Sequence, residues 1–160
     1  MSTADAPAQT VPQLGGEAPA ILIIRAPYYR SIVDGMTEAA KAVLQEACAT
    51  FDIVDVAGAF ELPQALRIAL RGRTKYSGFI AIGCVVRGET DHYDFICQSA
   101  MSGLMDVAVQ YGICLGTALL TVDSIAQATA RSAETGANKG GEAAIACLMQ
   151  IALARQLGAV

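Results

Sequence analysis

Two hydrophobic patterns alternate along this chain, and few folds satisfy both. Four short apolar runs, "AILII" (20–24), "FDIVDVAG" (51–58), "GFIAIGCVV" (78–86) and "CLGTALLTV" (114–122), read as strands. Between them the apolar residues recur at helical spacing. Ile32, Val33, Met36, Ala39, Ala40, Val43, Leu44 and Ala47 form one stripe. Leu62, Leu66, Ala69 and Leu70 form a second, with Pro63 tolerated in the first turn and an end near Gly72. A third helix is expected from about Thr90–Asp91 to Gly112, burying Phe95, Ile96, Ala100, Leu104, Val107, Ala108 and Tyr111. Asp123 or Ser124 is placed to cap a short helix through "IAQATARSAE". In the last helix Ile145, Leu148, Met149, Ala152 and Leu153 share a stripe, and Gly158 is placed to end it.

Strict alternation of strand and helix implies an α/β sandwich with a parallel sheet and right-handed crossovers. The wholly apolar run 78–86 suits a central strand. Ligands of such sheets bind beyond the carboxyl ends of the strands. Four segments fall there: "RAPYY", "AGAFE", "VVRGETDH" and "TVDS".

Charge narrows the partners. Eleven basic residues face fifteen acidic ones, and the pI is near 4.9. No basic surface is available to track a phosphate backbone, which excludes nucleic acid, and no basic amphipathic segment suggests a membrane surface. Charged residues make up 16% of the chain, below the roughly 25% of average domains, yet every apolar run is too short for a membrane span. Such a surface is best hidden against copies of itself, so a homo-oligomer is expected.

The first 19 residues have neither a basic n-region nor a continuous apolar core, so they read as a flexible tail and not a secretory signal. Residues 20–160 then form a single domain. "TVPQL" within the tail can add a strand to a neighbour's sheet. Cys48, Cys84, Cys97, Cys114 and Cys147 are odd in number, form no CxxC pair and lie in apolar segments. They read as reduced, buried thiols, pointing to the cytosol.

Three strand-end motifs carry chemistry. "GAFELP" sets the Phe60 ring and the Glu61 carboxylate at a strand-to-helix turn, suited to an apolar wall and a polyol. A core phenylalanine and a helix-start carboxylate explain that motif at least as well. "RGETDHYD" holds the only histidine, His92, at a helix start where free N–H groups favour an anion. A neutral imidazole there can move protons near pH 7; a surface or capping histidine is the alternative. "ARSAETGANKGG" offers Arg131 and Lys139 as a phosphate pair, or as two solvated cations. One histidine and scattered cysteines give no metal cluster, and neither GxGxxG nor GxxxxGK[ST] occurs.

Taken together, "GAFELP", "GCVVRGETDHYDF", "LLTVDSIAQATAR" and "NKGGEAA", in this order and spacing, resemble the 6,7-dimethyl-8-ribityllumazine synthases from about residue 20 onward. The resemblance implies a flavodoxin-like three-layer αβα sandwich with a four-stranded parallel sheet. It implies condensation of 5-amino-6-(D-ribitylamino)uracil with 3,4-dihydroxy-2-butanone 4-phosphate, with release of phosphate and water, the penultimate step of riboflavin synthesis. No cofactor is implied. Pentamers, in some members assembled into sixty-subunit shells, place active sites between neighbouring subunits, and riboflavin synthase is a candidate partner.

By the same resemblance His92 is the proton-transfer residue and Tyr28 stacks on the pyrimidine. Ala59, Phe60 and Glu61 contact the pyrimidine and ribityl chain, and Cys84, Val85 and Val86 present backbone to the pyrimidine edge. Glu89 and Thr90 hold phosphate by their backbone, with Arg131 and Lys139 beside it, and Thr117 is a neighbour's contribution. The sequence departs from the family at Pro27, where many members have Arg, at Tyr28, usually Phe or Trp, and at Thr117, often Phe or Asn. It also lacks the fuller glycine pattern before "NKG" that often accompanies shells. A non-catalytic flavin- or lumazine-binding oligomer, or a structural shell subunit, stands as the alternative class. Neither needs a proton carrier together with Arg131, Lys139 and Glu61.

Overall fold

The computed structural model describes residues 10–133 and 138–159. In chain order the elements are β1 (Ala20–Arg25), α1 (Arg30–Glu46), β2 (Thr50–Asp55), a 3-10 turn (Ala59–Glu61), α2 (Leu62–Ala69), β3 (Gly78–Val86), α3 (His92–Tyr111), β4 (Leu115–Val122), α4 (Ile125–Ser132) and α5 (Lys139–Gln156). All strand pairs are parallel, and the sheet order is β2-β1-β3-β4. The expected α/β sandwich is borne out, with the apolar run at β3 in the interior of the sheet.

Alternation along the strands sorts side chains into two cores. Ile21, Ile23, Ile80, Ile82, Ala118 and Leu120 face α1, α4 and α5, packing on Met36, Leu44, Ala128, Cys147 and Leu148. Leu22, Ile24, Phe79, Ala81, Leu115 and Leu119 face α2 and α3, packing on Leu62, Leu66, Ala100 and Leu104. Burying each large aliphatic side chain contributes roughly 1.5–3 kcal/mol, so both layers are firmly held. At Gly140 the start of α5 passes so close to α1 that a Cβ would overlap the Met36 carbonyl.

Caps set the helix limits. Ser124 Oγ accepts the Gln127 N–H at 3.3 Å to start α4, which resolves the Asp123-or-Ser124 alternative. Asn138 Oδ1 accepts the Gly140 N–H at 2.9 Å to start α5. Beyond α5, Gly158 takes a left-handed φ of 65°, and the Ala159 N–H donates to the Ala154 carbonyl, in keeping with the glycine stop expected there.

Three expectations need correction. β2 ends at Asp55, not Gly58, because the chain turns into the 3-10 segment that carries Phe60. Phe95 and Tyr111 are 66% and 42% exposed, and Met149 and Leu153 are 55% and 53% exposed. Ile145 and Leu148 of the expected α5 stripe are buried, and Ala143, Ala144, Cys147 and Ile151 complete the buried face. Helical periodicity marks these exposed residues as apolar, but the layers within one chain do not reach them. Of the five free cysteines, Cys84, Cys114 and Cys147 are buried, Cys97 is partly so, and Cys48 is exposed. Residues 10–19 form no strand or helix; Val11 and Leu14 lie against the α1/α5 core. The Arg155 guanidinium donates to the carbonyls of Gly15 and Glu17.

Candidate active site

In this order the chain reverses direction across the sheet between β1 and β3, where open α/β sheets bind their ligands. Backbone hydrogen bonds fix the strand ends there: Ala26 N–H donates to Ile82 O at 2.9 Å, Val56 N–H to Arg25 O at 2.8 Å, and Arg87 N–H to Val122 O at 2.9 Å.

A cleft of about 640 Å³ opens at this point. Tyr28 leads into it from β1, Ala59, Phe60 and Glu61 from the turn after β2, Cys84, Val85 and Val86 from the end of β3, and His92 from the start of α3. Eight residues singled out in the sequence therefore meet around one cavity. Tyr28 is 63% and Phe60 46% exposed, so neither ring belongs to the core. Two bare aromatic rings beside a carboxylate suit a flat ring carrying a polyol.

Local backbone explains the geometry. Tyr29 adopts φ 54°, ψ 59°, a left-handed conformation costing about 1–3 kcal/mol for a bulky residue. That turn carries the chain from β1 into α1 and leaves Tyr28 at the cleft. At Gly58 a Cβ would lie 3.2 Å from Glu61 Oε2 and 3.8 Å from Tyr28 Cε2. Carboxylate and ring thus flank the space that a side chain at position 58 would fill.

His92 is the first residue of α3, with Asp91 at the cap. The Asp94 and Phe95 N–H groups turn back onto the Asp91 carbonyl. A helix start leaves its earlier N–H groups for an outside acceptor. Burial pushes the Cys84 thiol up to about 11, so it stays protonated at neutral pH. A protonated, buried thiol is a poor nucleophile.

Five other candidates lie outside this cleft's lining. Glu89 and Thr90 are exposed in the loop before α3, and Thr117 is exposed on β4. Arg131 is exposed and donates to the Gln127 carbonyl at 2.8 Å. Lys139 Nζ pairs with Glu142 Oε2 at 2.5 Å. Residues 134–137, the glycine-containing segment between Arg131 and Lys139, lie outside the described residues.

Four further residues line the cleft without having been assigned a role: Tyr29 of "RAPYY", Ala57 and Gly58 of "AGAFE", and Ile96. Of these, Ile96 carries a signal in the sequence, since it follows His92 by one helical turn on the same face.

The family profile described as 6,7-dimethyl-8-ribityllumazine synthase matches residues 18–155. This chain belongs to that family. The 6,7-dimethyl-8-ribityllumazine synthase 1 of Rhizobium meliloti is 45% identical over 143 residues, covering 87% of this chain and 94% of that protein. The lumazine synthase of Agrobacterium fabrum is 42% identical over 144 residues, covering 88% and 97%. That of Paramagnetospirillum magneticum is 41% identical over 144 residues, covering 86% and 96%. The chain is therefore a transferase of the lumazine synthase family, and the three-layer fold agrees with membership. Among the described residues, no helix is long and apolar enough to cross a membrane.

Proposed function

We propose that the cleft between β1 and β3 is where this enzyme condenses 5-amino-6-(D-ribitylamino)uracil with 3,4-dihydroxy-2-butanone 4-phosphate to give 6,7-dimethyl-8-ribityllumazine, phosphate and water. The observation that carries this placement is the meeting of Tyr28, Phe60, Glu61 and His92 around one cavity at the sheet's switch point. The Tyr28 ring stacks on the pyrimidine, Phe60 walls the other side, and Glu61 accepts hydrogen bonds from the ribityl hydroxyls. Backbone at Cys84, Val85 and Val86 reads the pyrimidine edge. His92 carries protons as the 5-amino group adds to the ketone carbonyl, water leaves, and phosphate departs. These are acid–base steps, and no cofactor is needed for them.

The phosphate sits at the loop before α3, against backbone at Glu89 and Thr90. Thr117, Arg131 and Lys139 of a given chain serve a second site, and each cleft is completed by those residues from a neighbouring copy. The exposed position of Thr117 on the edge strand β4 supports this sharing. So do the exposed apolar side chains of Phe95, Met105 and Val109 on α3, which call for a covering subunit. We read the assembly as a pentamer, working in the cytosol, where the free thiols of the chain persist. Riboflavin synthase is a candidate recipient of the product.

The test is absorbance-monitored turnover by the purified protein with both precursors, repeated on His92→Ala. General acid–base groups contribute about 10²–10⁴-fold, so the variant should lose turnover while binding pyrimidine nearly as well. An unchanged rate would remove His92 from the mechanism. Sedimentation of the same preparation tests the pentamer.

A further inference from the structure

The loop that delivers His92 to the cleft, residues 88–91, is exposed and without helix or strand. At Gly88 a Cβ would meet nothing within 4 Å. Packing does not fix this loop, so its shape depends on how its two ends are held.

Arg87 holds both. Its backbone N–H is anchored to Val122 at the end of β4. Its side chain then reaches forward across the loop. Nη1 and Nη2 donate to Asp94 Oδ2 and Oδ1 at 3.2 and 3.1 Å, in the first turn of α3. Nε donates to Asp123 Oδ1 at 3.0 Å, just past β4. The guanidinium carbon lies 4.1 Å from the centre of the Tyr93 ring. Asp123 is itself steadied, its N–H donating to Gln127 Oε1 at 3.0 Å.

Exposed ion pairs add little stability on their own. A two-pronged guanidinium–carboxylate contact stacked on a ring instead restricts geometry, which a single ammonium cannot do. Tyr93 and Asp94 directly follow His92, so what Arg87 grips is the turn that aims the imidazole.

We propose that Arg87 is a positioning residue for the condensation: it ties the start of α3 to the ends of β3 and β4 and so sets the His92 ring in the cleft without touching substrate. This rests on the role given above to His92. A displacement of about 1 Å can cost on the order of 100-fold in rate.

The experiment is a double-mutant cycle on the full-length assembled enzyme, with Arg87→Met, Arg87→Lys, Asp123→Asn, His92→Ala and the combinations with His92→Ala. Arg87→Met should lower kcat by about tenfold or more, leave the KM for the pyrimidine within about twofold, and add nothing to His92→Ala, since the two act as one unit. Arg87→Lys should recover only part of the loss, and Asp123→Asn should move the same way by less. If Arg87→Met does not assemble, the cycle of Asp123→Asn with His92→Ala decides the matter. Losses that multiply with His92→Ala, or wild-type kcat in Arg87→Met, would overturn the proposal while leaving His92 in place. A wild-type rate in His92→Ala alone would sink both readings.

Discussion

Asn138 donates its side-chain amide to the Ser132 carbonyl at 2.8 Å, so the residue that caps α5 also closes the end of α4. The same nitrogen lies 3.2 Å from the Ala133 carbonyl and 3.3 Å from that of Gly35 on α1. One side chain thus joins three helices beside Arg131 and Lys139. Asn138→Ala removes these bonds and the cap together, and should cost about 1–3 kcal/mol in urea unfolding. Asn138→Asp keeps the cap oxygen and loses the donors, so it should fall between. A loss below about 0.5 kcal/mol in Asn138→Ala, the range of ordinary surface changes, would count against this joint.

Gly140 and Gly141 are neighbours with opposite expectations. A Cβ at Gly140 overlaps the Met36 carbonyl, whereas one at Gly141 makes an ordinary 3.7 Å contact with Val43 Cγ2. Gly140→Ala should destabilise by about 1–3 kcal/mol, because α1 and α5 must move apart. Gly141→Ala should be neutral or gain up to about 1 kcal/mol from helix propensity. Thermal melts of the two proteins under one buffer decide it, and equal shifts would contradict the packing.

Glu61 and Arg131 should divide the two substrates between them. Glu61→Gln should raise the KM for the ribityl-bearing pyrimidine, and Arg131→Ala that for the phosphate substrate. Each removes charge-assisted hydrogen bonds, so a change of about 10–100-fold is expected for the matching substrate. Equal losses for both substrates in either variant would count against the assignment.

Buried thiols predict an alkaline limit. Burial pushes Cys84 up to about 11 and Cys147 up to about 12, from an ordinary value of 9.0. Above pH 9 the unfolded chain releases thiol protons that the folded chain keeps. Stability from these groups is therefore complete below pH 9 and is lost as pH rises through 11 to 12. Urea unfolding at pH 8 and pH 10.5 should show the decline, and Cys147→Ala should make it shallower. The same slope in that variant would remove Cys147 from the account.

Much of the fold is legible in the sequence because a parallel sheet writes plainly. β3 needs apolar residues on both faces, and "GFIAIGCVV" supplies them without interruption. The β4 run matches its strand to within a residue for the same reason. The β2 pattern overruns because Val56 and Ala57 extend it past the point where the chain turns. Phe95, Met149 and Leu153 mislead for a different reason. Periodicity says that a side chain avoids water, not whether its own chain or another covers it. The low share of charged residues is what led to the expectation of a covering copy. In the site, the side chains with distinctive chemistry stand out, while Tyr29 and Gly58 matter through backbone shape, which no residue count exposes.

That His92 lines the cleft and Arg131 of the same chain does not has a genetic consequence on the shared-site reading. A subunit blank at 92 turns over slowly in a pure ring, and a subunit blank at 131 works poorly there at limiting phosphate substrate. Co-expressed, they form mosaic rings in which about a quarter of the junctions meet with both partners intact, since each junction in a cyclic assembly draws its two faces from different copies. Two impaired alleles would then restore one another in part.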